Sequence, residues 1–301
     1  MEKGKCNLCL KENVYLLTKS HIIPKFLFDE MKDDKFQSFV QLEPHKFIEG
    51  RNQHIKFPRD AFHESNILCL DCDGKLIKKY EDYLKLVFFE TNKPVNRPIV
   101  TQKFITLKNE RYCKIENLDY NKYKLGFLSI LWRASISSLD FFKSVSLGEK
   151  HNERIRQILY NEERINFYEY PFLTSLIDYN DFSRKTVLPI TKFRNNGIVN
   201  YRFIINGIDL LFMISNSVEK IENEILDFIP KENGIVNFFT ETSAFSCSPL
   251  QGNARMICRQ IIPSVKMTIC GIKMLWQCGS PHRNPVLLYQ SKIHQICNGR
   301  T

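Results

Sequence analysis

The stretches CNLC (residues 6–9) and LCLDCD (residues 68–73) decide the fold of the N-terminal part, because each contains a Cys-x-x-Cys pair. A spacing of two residues lets both sulfur atoms reach one ion, and two such pairs complete a tetrahedral site of four thiolates. We therefore predict that Cys6, Cys9, Cys69 and Cys72 bind a structural zinc ion. Sulfur would fill all four positions, so this ion would hold the fold and do no chemistry.

Two other interpretations of the pairs stay open, namely chance spacing and a redox function. A redox Cys-x-x-Cys belongs in a thioredoxin-like βαβ pattern, which the sequence lacks. The 59 residues between the pairs exceed the spacing of a zinc ribbon, which favours a knuckle closed by the start of a helix. The other six cysteines show no close pair and are interpreted as core thiols: Cys113, Cys247, Cys258, Cys270, Cys278 and Cys297.

Composition indicates a globular chain with an anionic partner. A length of 301 residues suffices for one large domain or two ordinary ones, and 43% hydrophobic residues suffice for a substantial core. No run approaches the roughly 18 apolar residues of a membrane span, and the N-terminus is too polar for a secretory signal, so we expect a cytoplasmic protein without membrane contact. The net charge of +10 favours nucleic acid as a partner, although no basic block is present.

Hydrophobic spacing predicts a mixed α+β fold. Strand 14–23, helix 24–34 and a helix from Cys69 onward would follow the first knuckle, with short strands in irregular structure over 35–67. A buried helix is expected over 123–142, an amphipathic helix over 146–163, a hairpin around Asn206-Gly207, a helix over 217–229 and strands from about 234. Two prolines in 91–102 place a boundary between a zinc-stabilised domain, 1–100, and a larger α+β domain, 101–301.

The stretch KSHIIPK (19–25) lies between the two cysteine pairs and contains a histidine that four cysteines would leave free. That histidine, His21, is interpreted as a metal ligand, a catalytic base or a core residue. The order of SHIIPKF (20–26), ESNILCLDCD (64–73) and YE (80–81) resembles the HNH endonucleases of the zinc-stabilised ββα-metal, or treble-clef, type. The resemblance covers roughly residues 1–90.

The resemblance implies metal-dependent hydrolysis of phosphodiester bonds in DNA, with double-stranded DNA as substrate and bacterial defence against phage as the setting. His21 would be the general base, Asn66 would orient it, and Asp73 would hold a catalytic Mg²⁺ or Mn²⁺ ion. Ser20 and Asp73 stand at the positions of that metal's ligands. At the position of Ser20 the family more often has an acid or a histidine, and at the position of Asp73 it more often has an asparagine or a histidine. A further ligand could come from His45, His54 or His63, which are otherwise surface residues.

Two alternatives to the nuclease remain open. A catalytically silent zinc-stabilised module would bind nucleic acid or a protein, having lost the ligand at Ser20. In the other alternative, a structural interaction protein, the zinc ion would only replace part of a hydrophobic core. Residues 113–301 contain no phosphate loop and no second metal signature. The sequence leaves three roles open for this part, namely sensing a ligand, binding a protein partner or binding DNA.

Overall fold

A mixed α+β fold is seen in the computed structural model, which confirms the predicted class. The model describes residues 2–29, 31–32, 38–42, 55–89, 101–107, 110–177, 186–217, 219, 221 and 223–241. Five of the six scattered cysteines lie outside these residues. The sixth, Cys113, lies on a strand whose side chains are not described at that position.

The N-terminal elements are short strands followed by one long helix. In chain order they are β1 (Lys3–Gly4), β2 (Val14–Tyr15), β3 (Ser20–His21), α1 (Phe26–Asp29), β4 (Val40–Leu42), β5 (Ile55–Lys56), β6 (His63–Glu64), a π-helical turn (Cys72–Ile77) and α2 (Lys78–Phe88). Strands β1 and β2 form one antiparallel pair, and β3 and β6 form another. The predicted helix after the second cysteine pair is confirmed, and it begins with the wider π-helical turn.

The remaining elements of the described chain are two helices, two 3₁₀ turns and seven strands, which join β4 and β5 in a nine-stranded sheet. They are β7 (Thr101–Leu107), β8 (Glu110–Glu116), α3 (Tyr120–Ile136), a 3₁₀ turn (Asp140–Phe142), α4 (Gly148–Tyr160), β9 (Phe172–Ile177), β10 (Thr186–Asn195), β11 (Ile198–Ile205), β12 (Ile208–Ile214), a 3₁₀ turn (Asn223–Phe228) and β13 (Val236–Glu241). The strand order in the sheet is β5-β4-β10-β11-β12-β9-β13-β8-β7. The pairs β4–β10 and β9–β13 are parallel and the others antiparallel.

Helix α3 is buried along most of its length, as the apolar run at 123–142 predicts, but it ends at Ile136 and a 3₁₀ turn follows. Asp119 caps its first turn by accepting a hydrogen bond of 3.1 Å from the backbone N–H of Lys122. Gly126 lets α3 approach α2 closely, because a Cβ atom there would lie 2.8 Å from the side chain of Leu84. The apolar run thus supplies the central helix against which both α2 and α4 pack.

Several local predictions differ from the structure. The predicted helix 24–34 is helical only over Phe26–Asp29 among the described residues, and 217–229 forms a 3₁₀ turn over Asn223–Phe228. The hairpin at Asn206-Gly207 is confirmed. A second hairpin of the same kind joins β10 to β11 through Asn196-Gly197, where both residues have the positive φ that such a turn requires.

The two predicted domains share one hydrophobic core in the described residues. Strand β4, from the segment between β3 and β6, pairs with β10 of the large sheet. Phe62 stacks on Phe141 with ring centroids 4.1 Å apart, joining the segments before and after 100. The boundary proposed in 91–102 falls mostly outside the described residues, so the division at 100 stays a prediction. No helix in the described part is long and apolar enough to cross a membrane.

Candidate metal centre and adjacent histidine pair

Four cysteine sulfurs meet at the N-terminal end of the long helix, as the sequence predicts. The Sγ atoms of Cys6, Cys9, Cys69 and Cys72 all lie within 4.8 Å of one another, and those of Cys9 and Cys69 are 3.9 Å apart. Zinc–sulfur bonds of about 2.3 Å in a tetrahedron place sulfurs roughly 3.8 Å apart. The cluster therefore fits a tetrahedral metal ion such as zinc.

Backbone pairing brings the two cysteine pairs together. The N–H of Leu17 donates to the carbonyl of Leu68 (2.9 Å), and the N–H of Asn7 donates to the carbonyl of Ile67 (3.0 Å). Leu16 and Cys69 also form an isolated antiparallel bridge. The knuckle and the helix start are thus joined by main-chain hydrogen bonds, although 59 residues separate the pairs in the sequence.

The close approach of the sulfurs and their burial shift the pKa values of Cys6, Cys69 and Cys72. A hydrogen bond from Cys72 is the largest influence that lowers the pKa of Cys6, to about 4, and the backbone N–H of Cys69 also donates to its sulfur. The pKa of Cys72 is raised, first by that hydrogen bond to Cys6 and then by burial. Burial likewise raises the pKa of Cys69. A divalent cation would allow all four sulfurs to be thiolates, which is the form that binds zinc.

The β3–β6 ribbon places two histidines side by side. His21 and His63 are directly opposite in its register, and their ring centroids are 6.2 Å apart in an edge-to-face arrangement. Nδ1 of His63 donates to the carbonyl of Ala61 at 3.0 Å, so Nε2 of the neutral ring is left as an acceptor. The sequence left His63 as either a surface residue or a further metal ligand, and the strand register makes it the neighbour of His21.

The His21 ring is half-buried and accepts or donates no hydrogen bond within the described residues. Burial is the main cause that lowers its pKa below the ordinary value of 6.5, with the charges of His63 and Arg133 acting in the same direction. Its ring is therefore neutral near pH 7, the form that can accept a proton. None of the four clustered sulfurs needs this imidazole as a partner.

Arg133 is a buried cation that the sequence prediction missed. It is buried on α3, and its Nη1 donates to the carbonyl of His21 at 2.5 Å. The same nitrogen lies 2.7 Å from Oε1 of Glu81 on α2, and Nε donates to the carbonyl of Ser129 at 3.2 Å. The only signal for this role in the sequence is an arginine inside an otherwise apolar helical run.

Asp73 follows Cys72 in the π-helical turn, and its N–H donates to the carbonyl of Cys69 at 3.0 Å. Burial raises the pKa of its carboxyl group to about 6, Arg133 opposes that shift, and Glu81 adds to it. Arg133 thus acts electrostatically on both Asp73 and His21. The carboxylate of Asp73 receives no hydrogen bond within the described part of the chain.

No hydrogen bond joins Asn66 or Ser20 to the His21 ring within the described residues. Asn66 has a left-handed backbone (φ 63°), and its amide donates to Glu2 at 2.8 Å. Ser20 is fully buried, and its hydroxyl has no hydrogen-bond partner among the described residues. Successive residues of a strand face opposite sides, so Ser20 and His21 point in opposite directions. His45 and His54 lie outside the described residues.

Comparison of the chain with family models, with curated proteins and with solved structures gave no match. The likeness to HNH endonucleases thus rests on the motifs of the sequence, and the geometry above is the basis for any functional assignment.

Proposed function

We propose that the chain is a metal-dependent endonuclease of the HNH type that hydrolyses phosphodiester bonds in double-stranded DNA. The observation that carries the proposal is the position of His21. Its ring is neutral, free of hydrogen bonds within the described residues and held through its own carbonyl by Arg133. The four-cysteine cluster could hold a structural metal ion without a ligand from this histidine.

The order of elements supports the fold that this function requires. A cysteine knuckle between β1 and β2 comes first, and the β3–β6 ribbon follows. The second cysteine pair comes next, with Cys69 in the isolated bridge to Leu16 and Cys72 at the start of the π-helical turn. This order is compatible with the proposed treble clef and its ββα-metal site. The segment between β3 and β6 would then be an insertion that adds β4 and β5 to the large sheet.

In the proposed reaction, His21 accepts a proton from a water molecule that attacks phosphorus in line with the departing 3′ oxygen. Asp73 would hold a Mg²⁺ or Mn²⁺ ion, since a hydrated ion of this kind needs only one or two protein carboxylates. When bound, that ion would neutralise charge on the scissile phosphate and on the leaving oxygen. Ser20 is buried and cannot reach that ion. Nε2 of His63, the residue opposite His21, could bind the ion in its place.

A lysine-lined groove supports contact with a polyanion. It runs along α2 and the start of α3 and is lined in part by Lys75, Lys78, Lys79 and Lys122. Each of these lysines forms an ion pair that is partly or largely exposed. The pairs are Lys75–Asp71, Lys78–Asp82, Lys79–Glu162 and Lys122–Asp119. Exposed ion pairs are worth at most about 1 kcal/mol, so these ammonium groups can exchange a carboxylate for a phosphate at little cost.

The proposal is tested with the purified chain, supercoiled plasmid and Mg²⁺ or Mn²⁺. Nicking by the wild type is expected, together with at least a ~100-fold loss in His21→Ala at unchanged zinc content. Asn161→Ala is the control, because Asn161 is an exposed residue at the C-terminal end of α4 whose amide donates to Glu163 and not to any proposed catalytic residue. Nicking that persists in His21→Ala would remove the histidine from the mechanism.

A catalytically silent module is the second candidate, and the burial of Ser20 favours it. With the usual ligand position turned into the core, a catalytic ion would depend on Asp73 alone or with His63. Such a module would retard DNA on a gel at low salt but would not cleave it with any divalent metal. Absence of both cleavage and retardation would leave only a structural interaction protein.

A further inference from the structure

A cavity of about 410 Å³ lies in the later part of the chain, between the start of α4 and the sheet. It is separate from the cysteine cluster and from the His21–His63 pair. Its polar wall contains Lys150, His151, Arg154 and Glu169, and its apolar wall contains Ile198 and Ile214. This volume lies in the range of small-molecule sites, which combine an apolar lining with a few polar groups.

Tyr170 forms part of the cavity wall in an unusual backbone conformation. Its φ is +49°, a left-handed value that a bulky side chain rarely adopts and that costs conformational energy. The N–H of Tyr170 donates to the carbonyl of Ser215 at 2.7 Å, which fixes this backbone beside the end of β12. Strained residues of this kind cluster at ligand sites.

The strained backbone brings the Tyr170 hydroxyl to His151. The oxygen lies 3.0 Å from Nδ1 of the imidazole, and the two rings meet edge to face. Burial raises the pKa of Tyr170 to about 12 and lowers that of His151, so both groups are neutral near pH 7. In the tautomer in which Tyr170 donates to Nδ1, the histidine carries its proton on Nε2 and can donate to a ligand.

The charges around the cavity leave one cation unbalanced. Arg154 is paired with two carboxylates, to Glu163 at 2.6 Å and to Glu169 at 3.0 Å. Lys150 has no ion pair within the described residues, and it lies in the first turn of α4, where the helix dipole is positive. A single uncompensated cation near a helix N-terminus favours a ligand with one negative charge. A second negative charge on the ligand would be repelled by Glu169.

We propose that this cavity binds a small organic monoanion of the carboxylate class. Its carboxylate lies by Lys150 and His151, and its apolar body packs against Ile198 and Ile214. The site is independent of DNA cleavage, and it gives the later part of the chain a ligand-binding role.

Binding is measured by ligand-observed NMR on the full chain without DNA, using matched acids and amides as probes. The pairs are benzoate with benzamide, 4-hydroxybenzoate with 4-hydroxybenzamide, and isovalerate with isovaleramide. At least one acid is expected to saturate with a Kd of about 1 mM or tighter. Its amide is expected to bind at least about tenfold more weakly, because it lacks the charge that the lysine and histidine recognise.

Lys150→Met is expected to weaken the binding acid by about tenfold or more, the usual range for a charge-assisted hydrogen bond. Lys150 is exposed, so this variant folds, and an unchanged Tm verifies that. Lys143→Met is the matched control, since Lys143 is exposed and does not line the cavity. The proposal is overturned if no acid saturates, if amide and acid bind equally, or if Lys150→Met binds like the wild type. Tighter binding of inorganic phosphate than of every acid would also overturn it.

Discussion

Arg133 donates a hydrogen bond of 2.5 Å to the carbonyl oxygen of His21, a residue 112 positions earlier in the chain. The same guanidinium lies 2.7 Å from Glu81, and its side chain is 1% exposed. A buried cation on α3 thus fixes the strand that carries the proposed catalytic histidine. A single buried guanidinium thus links β3 and α2, which precede residue 101, to α3, which follows it.

Arg133→Met is expected to lower the free energy of unfolding by about 3–5 kcal/mol, because Glu81 and the carbonyl of His21 lose their buried partner. Urea denaturation measures the change. The double variant Arg133→Met/Glu81→Gln should recover part of the loss, since it removes the unpaired carboxylate. Lys78→Met breaks an exposed pair and should cost less than about 1 kcal/mol. An Arg133→Met cost no greater than that of Lys78→Met would show that the buried contact is not stabilising.

The pH dependence of nicking is expected to follow the neutral form of His21. Burial, His63, Arg133 and Lys25 lower the pKa of this imidazole, while Asp29 raises it. Protonation removes the base, so activity should fall as pH decreases and reach a plateau above the pKa. Initial rates between pH 5 and pH 8 at constant ionic strength should give a midpoint below the ordinary 6.5. A midpoint above 6.5 would contradict a base in this environment.

His63→Phe separates the shape of the neighbouring ring from its charge. Phenylalanine keeps an aromatic edge against His21 but removes the charge that lowers the pKa of His21. If His63 acts only on that pKa, the midpoint should move toward 6.5 and the rate at pH 8 should stay near that of the wild type. A loss of about tenfold or more at pH 8, recovered at higher Mn²⁺ concentration, would instead identify His63 as a metal ligand.

Cys72→Ser is expected to abolish zinc binding, which in the wild type should be close to one ion per chain. Structural zinc contributes about 10 kcal/mol or more to folding, as much as the whole stability of many domains, so the N-terminal part should unfold. Elemental analysis and circular dichroism measure both effects, and EDTA should lower the Tm of the wild type. His21→Ala is the control and should keep its zinc. Loss of zinc from that variant would mean that the imidazole is a ligand.

Lys124 should make stability depend on pH. Its ammonium group is buried on α3 and donates to the carbonyls of Asn166 (3.2 Å) and Phe167 (3.1 Å). Burial lowers its pKa from 10.5 to about 7, against the charges of Glu169 and Glu232. The unfolded chain keeps this proton up to about pH 10.5 while the folded chain releases it from about pH 7. Between these values the unfolded state binds more protons, so this group makes stability rise with pH.

The comparison of wild type with Lys124→Met isolates that effect. The wild type should gain stability relative to the variant between pH 7 and pH 9.5, by at most about 1.4 kcal/mol per pH unit. Urea titrations at several pH values measure the difference, in which the titration of other groups cancels. Parallel stability curves for the two proteins would show that Lys124 keeps its proton in the fold.

Patterns within a short stretch predicted much of this protein. Two Cys-x-x-Cys pairs predicted the thiol cluster, apolar spacing after Cys69 predicted α2, and Asn206-Gly207 predicted a hairpin. These signals are local, because two-residue spacing, helical periodicity and turn chemistry depend on neighbours in the chain. The helix expected over 217–229 forms a 3₁₀ turn over Asn223–Phe228, where its contacts with β13 and the isoleucines around it prevail over intrinsic helix preference.

The sequence by itself determined that four thiols would gather, and it placed His21 between the two cysteine pairs without fixing the role of that histidine. Only the tertiary structure decided that His63 stands opposite His21, that Arg133 holds its carbonyl, and that Tyr170 meets His151 at a cavity. Strand register and helix packing bring these residues together from distant parts of the chain. No local pattern specifies such contacts, because they depend on which surfaces the whole fold buries against one another.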